Sequence, residues 1–285
     1  MTSFNSIIAA VAVVGLLLGH GANAQEKQWT KITIGTEGSF APWNYEEGGK
    51  LKGLEIDLAE DICRRAKLEC SFIVQDFDGL IPALNVGKID AVMSGMSATA
   101  KRAEVIAFSQ PYATGGQTFG IQKGGPLEAL PFKGELINLN DEASALDKIE
   151  KLKAALKGKT IGVQAASINA SFLDRYLKGI VDVREYKATT QHDLDLSAGR
   201  IDAIVASYNY ILDAAKKPGN RDMLTAGPRF IGGVFGNGSS IGLRKSDVKL
   251  KAMLDEALIA SFADGTYKNI SEKYFGYDAT PQYKR

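Results

Sequence analysis

Histidine and cysteine are almost missing from this chain, with two of each among 285 residues. The histidines, His20 and His192, stand far apart. A zinc shell needs about four ligands and a Ser-His-Asp relay needs a histidine set between two partners, so neither chemistry is expected. His192 falls at a polar helix start and reads as a surface residue. An excess of one charge is missing too: 34 Lys and Arg face 33 Asp and Glu, a net charge of +1. That excludes a nucleic-acid partner held by a basic face. Beyond residue 24 no apolar run approaches the ~20 residues that span a bilayer. No cofactor is expected.

The first 24 residues contain no Lys, Arg, Asp or Glu, and hold an apolar run from Ile7 to Leu18 followed by Ala22-Asn23-Ala24 before Gln25. A secretory signal (1–24) with an A-x-A cleavage site has this form, apart from the missing positive start. The mature chain is therefore expected to begin near Gln25, outside the cytoplasm. No cysteine near the cut invites a lipid anchor. In an oxidising compartment Cys63 and Cys70 read as a disulfide rather than a metal site, because two thiolates without histidine leave a zinc shell incomplete. Its short loop predicts modest stabilisation.

The composition that remains, 45% hydrophobic and 24% charged, is ordinary globular material, long enough for about two domains. One phrase occurs twice: Gly87-Lys88-Ile89-Asp90-Ala91-Val92 returns as Gly199-Arg200-Ile201-Asp202-Ala203-Ile204. Each copy follows a strand-like stretch, Lys31 to Gly35 and Lys159 to Val163, so the repeated unit is strand, helix, strand. Two such α/β units imply two lobes and a cleft between them, where small ligands bind.

Along the mature chain, Ile32 to Thr36 reads as a strand entering the turn-rich segment Glu37 to Trp43. Leu54, Leu58, Ile62 and Ala66 recur every four residues as a helix, and Ser71 to Val74 and Ile89 to Met93 read as strands. Thr99 is a candidate N-cap. Tyr112 to Gln122 reads as a first crossover and Gly227 to Gly236 as the crossing back. A solvated helix is expected over Ala143 to Leu156, and an amphipathic one from Leu250 to Phe262, stopped at Asp264-Gly265 and packed on the first lobe.

Several stretches taken in order carry a family resemblance over essentially the whole mature chain. They are Gly35-Thr36-Glu37-Gly38-Ser39-Phe40-Ala41-Pro42-Trp43, Gly53-Leu54-Glu55-Ile56-Asp57-Leu58-Ala59, the Cys63 and Cys70 spacing, Asp78-Gly79-Leu80-Ile81-Pro82-Ala83-Leu84, Met96-Ser97-Ala98-Thr99 with Lys101-Arg102, Ile106-Ala107-Phe108-Ser109, and Gly265-Thr266-Tyr267. The chain resembles the extracytoplasmic solute-binding proteins of polar amino acid ABC importers, the branch for lysine, arginine, ornithine, histidine and opines. The resemblance implies an α/β, two-lobed periplasmic binding protein fold of type II joined by two crossover strands. Lobe 1 would comprise 25–113 and 236–285, and lobe 2 would comprise 114–235. A monomer in the periplasm is implied, closing over one small-molecule ligand and delivering it to a membrane permease.

The residue types suit such a ligand. Arg102 offers a planar fork of donors for a carboxylate, and Ser97, beside the helix start at Thr99, adds further donors. Phe40, Phe77 and Trp43 offer flat walls for an aliphatic or guanidinium chain, although Trp43 reads equally well as core. Glu37 is the candidate anchor for a distal cation. Ser94, Gly95 and Met96 lead into Ser97, and Ala166, Ser167, Ile168 and Asn169 would meet the ligand's other end.

Departures from the family pattern fall at Ile168, where basic-amino-acid binders carry Thr, and at Ser207, where they carry an Asp for the α-ammonium. Without that Asp a primary ammonium loses a charge-assisted bond of ~1.5 to 3 kcal/mol, which favours a substituted amine. Gly95, in place of Ser, removes a contact or admits a bulkier ligand. Opine binders resemble the chain at Glu37, at the small polar Ser207 and at 227–236. An opine or related cationic amino acid derivative is therefore the expected ligand, with free arginine, lysine, ornithine or histidine as the alternative. A dehydratase-like enzyme using Glu37 as acid or base is a remote one, and a sensing role in place of transport is equally compatible with the sequence.

Overall fold

The computed structural model describes residues 27–281; the expected secretory signal lies outside the described residues. Ile32 and Ile34, both buried, anchor strand Lys31–Thr36 within a five-stranded sheet. This strand runs parallel to Glu69–Val74 on one side and Ala91–Val92 on the other. Ser239–Leu243 and Ala107–Ala113 complete the sheet in antiparallel pairing. Helix Leu54–Arg65 connects the first two strands, its Leu54, Leu58 and Ile62 fully buried at the four-residue spacing of one helix face. Cys63 near the end of this helix is disulfide-bonded to Cys70, with their Cα atoms 6.2 Å apart.

The second sheet repeats the plan. Thr160–Gln164 runs parallel to Asp182–Tyr186 and to Ala203–Ser207. Gln117–Gln122 pairs antiparallel with Ala203–Ser207, followed by Met223–Ile231 and Leu136–Asn138. The repeated phrase does the same work in each lobe. Asp90 donates its N–H to the Thr33 carbonyl (2.7 Å) and accepts the Thr33 N–H on its carboxylate (3.0 Å). Asp202 does both with Thr160, at 2.8 Å each. Ile89 and Ile201 then fill the space beside a strand glycine, for a Cβ at Gly35 or Gly162 would come within 2.4 or 2.6 Å of their Cδ1 atoms. Each phrase therefore pins a helix exit against a strand through an Asp clasp and a glycine-isoleucine fit.

In the first lobe the ladder is confined to Ala91–Val92, shorter than the expected Ile89 to Met93, although Asp90 and Met93 still bond Thr33 and Gly35. The chain then swings away at Gly95, whose φ of +59 lies in the left-handed region. The return crossing also begins later than the sequence suggests. Gly227 to Ile231 still belong to Met223–Ile231, whose pairing with Gln117–Gln122 is interrupted between Ala226 and Phe230. Thr118 bridges this bulge, its hydroxyl meeting the Ala226 and Pro228 carbonyls. The passages between sheets are thus residues 114–116 and 232–238, and they emerge side by side where Ser239 pairs with Ala113.

Each lobe has its own core. Leu58, Ile62, Tyr112, Leu254 and Leu258 belong to the first, and Phe119, Ile161, Phe172, Leu173 and Phe230 to the second. Helix Val248–Ala263 contributes Leu250, Leu254, Ala257 and Leu258 to the first core. Full burial of a leucine side chain contributes ~1.5 to 3 kcal/mol, so each lobe has strong reason to hold its own shape.

His192 is fully buried rather than exposed. Helix Thr189–Ser197 buries Thr189, His192, Asp193 and Leu196, an i, i+3, i+4, i+7 face made mostly of polar residues. The face is tolerable because the His192 Nδ1 and Asp193 Oδ1 atoms lie 3.0 Å apart and the Tyr210 hydroxyl donates to Asp193 at 2.6 Å.

Candidate functional site

The carboxyl ends of the parallel strands in both sheets converge on one space. Thr36 leads to Glu37 and Phe40, Val92 to Gly95 and Ser97, Gln164 to Ser167, and Ser207 ends its own strand. A cavity of about 490 Å³ lies there, walled by both lobes and by the two passages between them. This is the place and size expected for a small-molecule site in an α/β protein.

Arg102 sits in the short helix Ala100–Ala103, which Thr99 caps by accepting the Arg102 N–H at 3.2 Å. Its guanidinium donates to the Ser97 carbonyl (3.1 Å) and, across the cleft, to the Ala166 carbonyl (3.2 Å), and lies 5.4 Å from the Phe77 ring. Burial pushes it down to about 10, still fully charged at neutral pH. It therefore presents a desolvated cation at the cavity wall with neutral partners only.

Phe40, from the first lobe, is stacked on Tyr210 of the second, with centroids 5.2 Å apart, and is near-parallel to Trp43 at 6.0 Å. Gly95 makes this arrangement possible, since a Cβ there would lie 2.8 Å from the Phe40 ring. The room left by the missing side chain is thus taken by Phe40. Trp43 is both core and cavity wall: it is 3% exposed, and its indole N–H has no protein partner.

In the second lobe Ser167 caps helix Ile168–Tyr176 by accepting the Ala170 N–H at 3.2 Å. Asn169 Oδ1 and Ser207 Oγ, both buried and both in residues that line the cavity, find no hydrogen-bond partner within the protein. Buried polar atoms are ordinarily satisfied, and these two stand at the cavity wall without a protein partner. Ile168 lines the same wall.

Four expected site residues stand outside the lining. Met96 is completely buried in a first-lobe cluster, and Ala166 contributes only its carbonyl, to Arg102. Ser94 accepts the Glu37 N–H at 3.1 Å, and its hydroxyl meets the Glu37 carboxylate. Glu37 itself lies behind the wall, bonded to Gln164 of the other lobe and, through the Ser39 hydroxyl, to its own loop. Burial, with a smaller contribution from the charge of Glu55, raises Glu37 to about 8 despite these bonds.

The sequence reading missed Glu55, whose buried carboxylate accepts from Asn44 (2.6 Å), the Gly95 N–H (2.7 Å) and the Tyr112 hydroxyl, locking the Gly95 turn to the first lobe. Burial raises this carboxyl as well. It also missed Tyr208 and Arg229 in the cavity wall; alternation along Met223–Ile231, with Phe230 in the core, is the signal that turns Arg229 and Ile231 toward the cleft. Among the described residues the lining contains Arg102 and Arg229 and no carboxylate.

The lobes touch at several points around this cavity. Thr189 donates to the Ser39 carbonyl (3.1 Å), Lys187 pairs with Asp76 (3.3 Å), and Asn209 meets the Tyr277 hydroxyl (2.9 Å).

The family described as bacterial extracellular solute-binding proteins, family 3, matches residues 32–277. The chain is 40% identical to the octopine-binding periplasmic protein of Rhizobium meliloti over 280 residues, covering 91% of this chain and 94% of that protein. It is 32% identical to the lysine/arginine/ornithine-binding periplasmic protein of Escherichia coli, over 96% of this chain and 97% of that one. An ancestral arginine-binding protein solved with arginine superposes with a TM-score of 0.73 at 31% identity, covering 86% of this chain and 98% of that structure. The expected two-lobed type II periplasmic binding fold is therefore correct.

Proposed function

Since the chain belongs to the bacterial extracellular solute-binding proteins, family 3, we propose that it is the receptor of an ABC importer for an opine of the octopine or nopaline type, or a closely related cationic amino acid derivative. The ligand occupies the interlobe cavity, and the closed receptor hands it to the membrane permease. The observation that carries this reading is that Arg102 and an unpartnered Ser207 hydroxyl both line the cavity, whose wall holds no carboxylate among the described residues. Arg102 binds a carboxylate as a bidentate pair, and at Ser207 a substituted ammonium, with one fewer N–H to satisfy and a second carboxylate of its own nearby, fits better than a primary ammonium that depends on the protein for a counter-charge. The 40% identity to an octopine-binding protein supports the same choice.

The residues group into lobe 1 (25–113 and 236–285) and lobe 2 (114–235), which separate to admit ligand. Opening breaks the contacts of Glu37 with Gln164 and of Arg102 with the Ala166 carbonyl. A ligand that bonds Arg102 from within the cleft stabilises the closed population. The N-terminal 24 residues direct export to the periplasm, and the receptor acts as a monomer, by binding rather than turnover. Glu37, the carboxyl an acid–base enzyme on this scaffold would use, is held by Gln164 behind the wall.

A thermal-shift and calorimetric screen of protein purified from the periplasm, against octopine, nopaline, arginine, lysine, ornithine and histidine, tests the reading. Ligand at a hundredfold excess over Kd adds ~2.7 kcal/mol of stability. Opines are expected to shift the transition most. A larger shift with a free basic amino acid would select the alternative ligand class.

A further inference from the structure

The cavity holds a second cation that the family resemblance did not assign. Arg229 lies on Met223–Ile231 at the end of the bulge between Ala226 and Phe230, next to Leu136 in the strand pairing. Phe230 points into the second-lobe core, so Arg229 is turned to the opposite face, toward the cleft. Its guanidinium rests over the Tyr208 ring at 4.9 Å, and its aliphatic stem packs where Gly116 leaves room in the first passage. Among the described residues it has no ion pair and no side-chain hydrogen bond.

We propose that Arg229 receives a second carboxylate, so that the preferred ligand is an amino acid whose nitrogen carries a carboxyalkyl group, held by Arg102 at one carboxylate and by Arg229 at the other. This rests on the solute-receptor reading and narrows it to dicarboxylated ligands. Among the described residues the lining sets two arginines against no carboxylate, so each carboxylate of the ligand finds a cationic partner in the wall, and the second one distinguishes this ligand from a free basic amino acid. The contact with Tyr208 orients the guanidinium through its charge and leaves its N–H donors available for a planar acceptor. Ser207, adjacent to Tyr208, places a neutral hydroxyl beside the secondary amine that joins the two carboxylate arms.

The test is titration calorimetry with octopine and with arginine, which share the guanidinium and one carboxylate and differ in the second. Wild-type protein should bind octopine at least tenfold more tightly. Arg229→Met should lower the octopine-to-arginine affinity ratio about ten- to a hundredfold, the range of one charge-assisted bond, and Arg229→Lys should restore part of it. Arginine binding reports that each variant is folded. An unchanged ratio in Arg229→Met, or wild-type protein preferring arginine, overturns the proposal and leaves the receptor reading standing. Wild-type protein that binds none of octopine, nopaline or arginine overturns both, and does so before any variant is made.

Discussion

Gln164 donates its side-chain amide to the Glu37 carboxylate across the cleft, joining the end of a strand in one lobe to the end of a strand in the other. The carboxyl is buried where the two lobes meet, and that burial raises it from the ordinary 4.5 to about 8. At neutral pH the closed, ligand-free form therefore holds Glu37 protonated.

The closed form consequently binds a proton that an open or unfolded chain releases between pH 4.5 and about 8. The associated stability is complete below pH 4.5 and is lost as pH rises through 8, with a slope of at most ~1.4 kcal/mol per pH unit. Melting temperatures of ligand-free protein from pH 5 to 8 should fall with rising pH, and Glu37→Gln should flatten the curve. Glu55, raised in the same direction by burial, leaves a residual slope of the same sign in the variant. Equal slopes in the two proteins would remove Glu37 from the account.

Arg102→Ala should lose ligand affinity by about a hundredfold, since a buried bond to a charged group contributes ~1.5 to 3 kcal/mol. Ligand-induced compaction, followed by small-angle scattering, should vanish at concentrations that saturate the wild type. Near-native affinity in this variant would end the carboxylate assignment.

Much of this site was legible in residue order, and the exceptions have physical causes. The twice-used phrase announced two equivalent lobes because the Asp of the clasp and the isoleucine beside the glycine both sit inside the phrase itself, so its recurrence is visible although each copy meets a strand 57 or 42 residues earlier. His192 deceived because its helix turns polar residues inward, where the Nδ1 of His192 and the Tyr210 hydroxyl both meet Asp193, an arrangement hydropathy cannot register. Glu55 was hidden for a related reason: its partners Asn44, Gly95 and Tyr112 are scattered along the chain, so only the fold collects them. Glu37 was expected to anchor a ligand's cation, yet it stands outside the cavity lining, because its engagement with Gln164 depends on how the lobes meet.

Gly95→Ser should destabilise the protein by about 1 to 3 kcal/mol, because a side chain there must adopt a φ near +59 and displace a ring 2.8 Å away. Its effect should extend across the cleft, since Phe40 is the ring displaced and Tyr210 its stacking partner. Chemical denaturation gives the stability and ligand titration the loss of closure. A variant as stable as wild type with unaltered binding would show that Phe40 yields at little cost.

Replacing Cys63 and Cys70 together by Ser should cost about 2 kcal/mol, the loop-entropy value for a closure of this length. The bond ties a helix end to the neighbouring strand on the far side of the first lobe from the cleft. Calorimetry should therefore find a lower melting temperature with ligand affinity within about twofold of wild type. A large change in affinity would reveal coupling between this corner and the site.

Ser207→Asp should turn ligand preference toward free arginine. The substitution puts a carboxylate into a wall that has none among the described residues, at a hydroxyl now buried without a partner. A primary ammonium gains a charged acceptor worth ~1.5 to 3 kcal/mol. An N-carboxyalkyl amine gains less, because it has one fewer N–H to donate and brings its second carboxylate close to the new charge. The ratio of arginine to octopine affinity, measured by calorimetry, should rise by about tenfold or more. If the ratio stays at its wild-type value, position 207 does not face the ligand's nitrogen, and the preference for a substituted amine must come from elsewhere in the cavity.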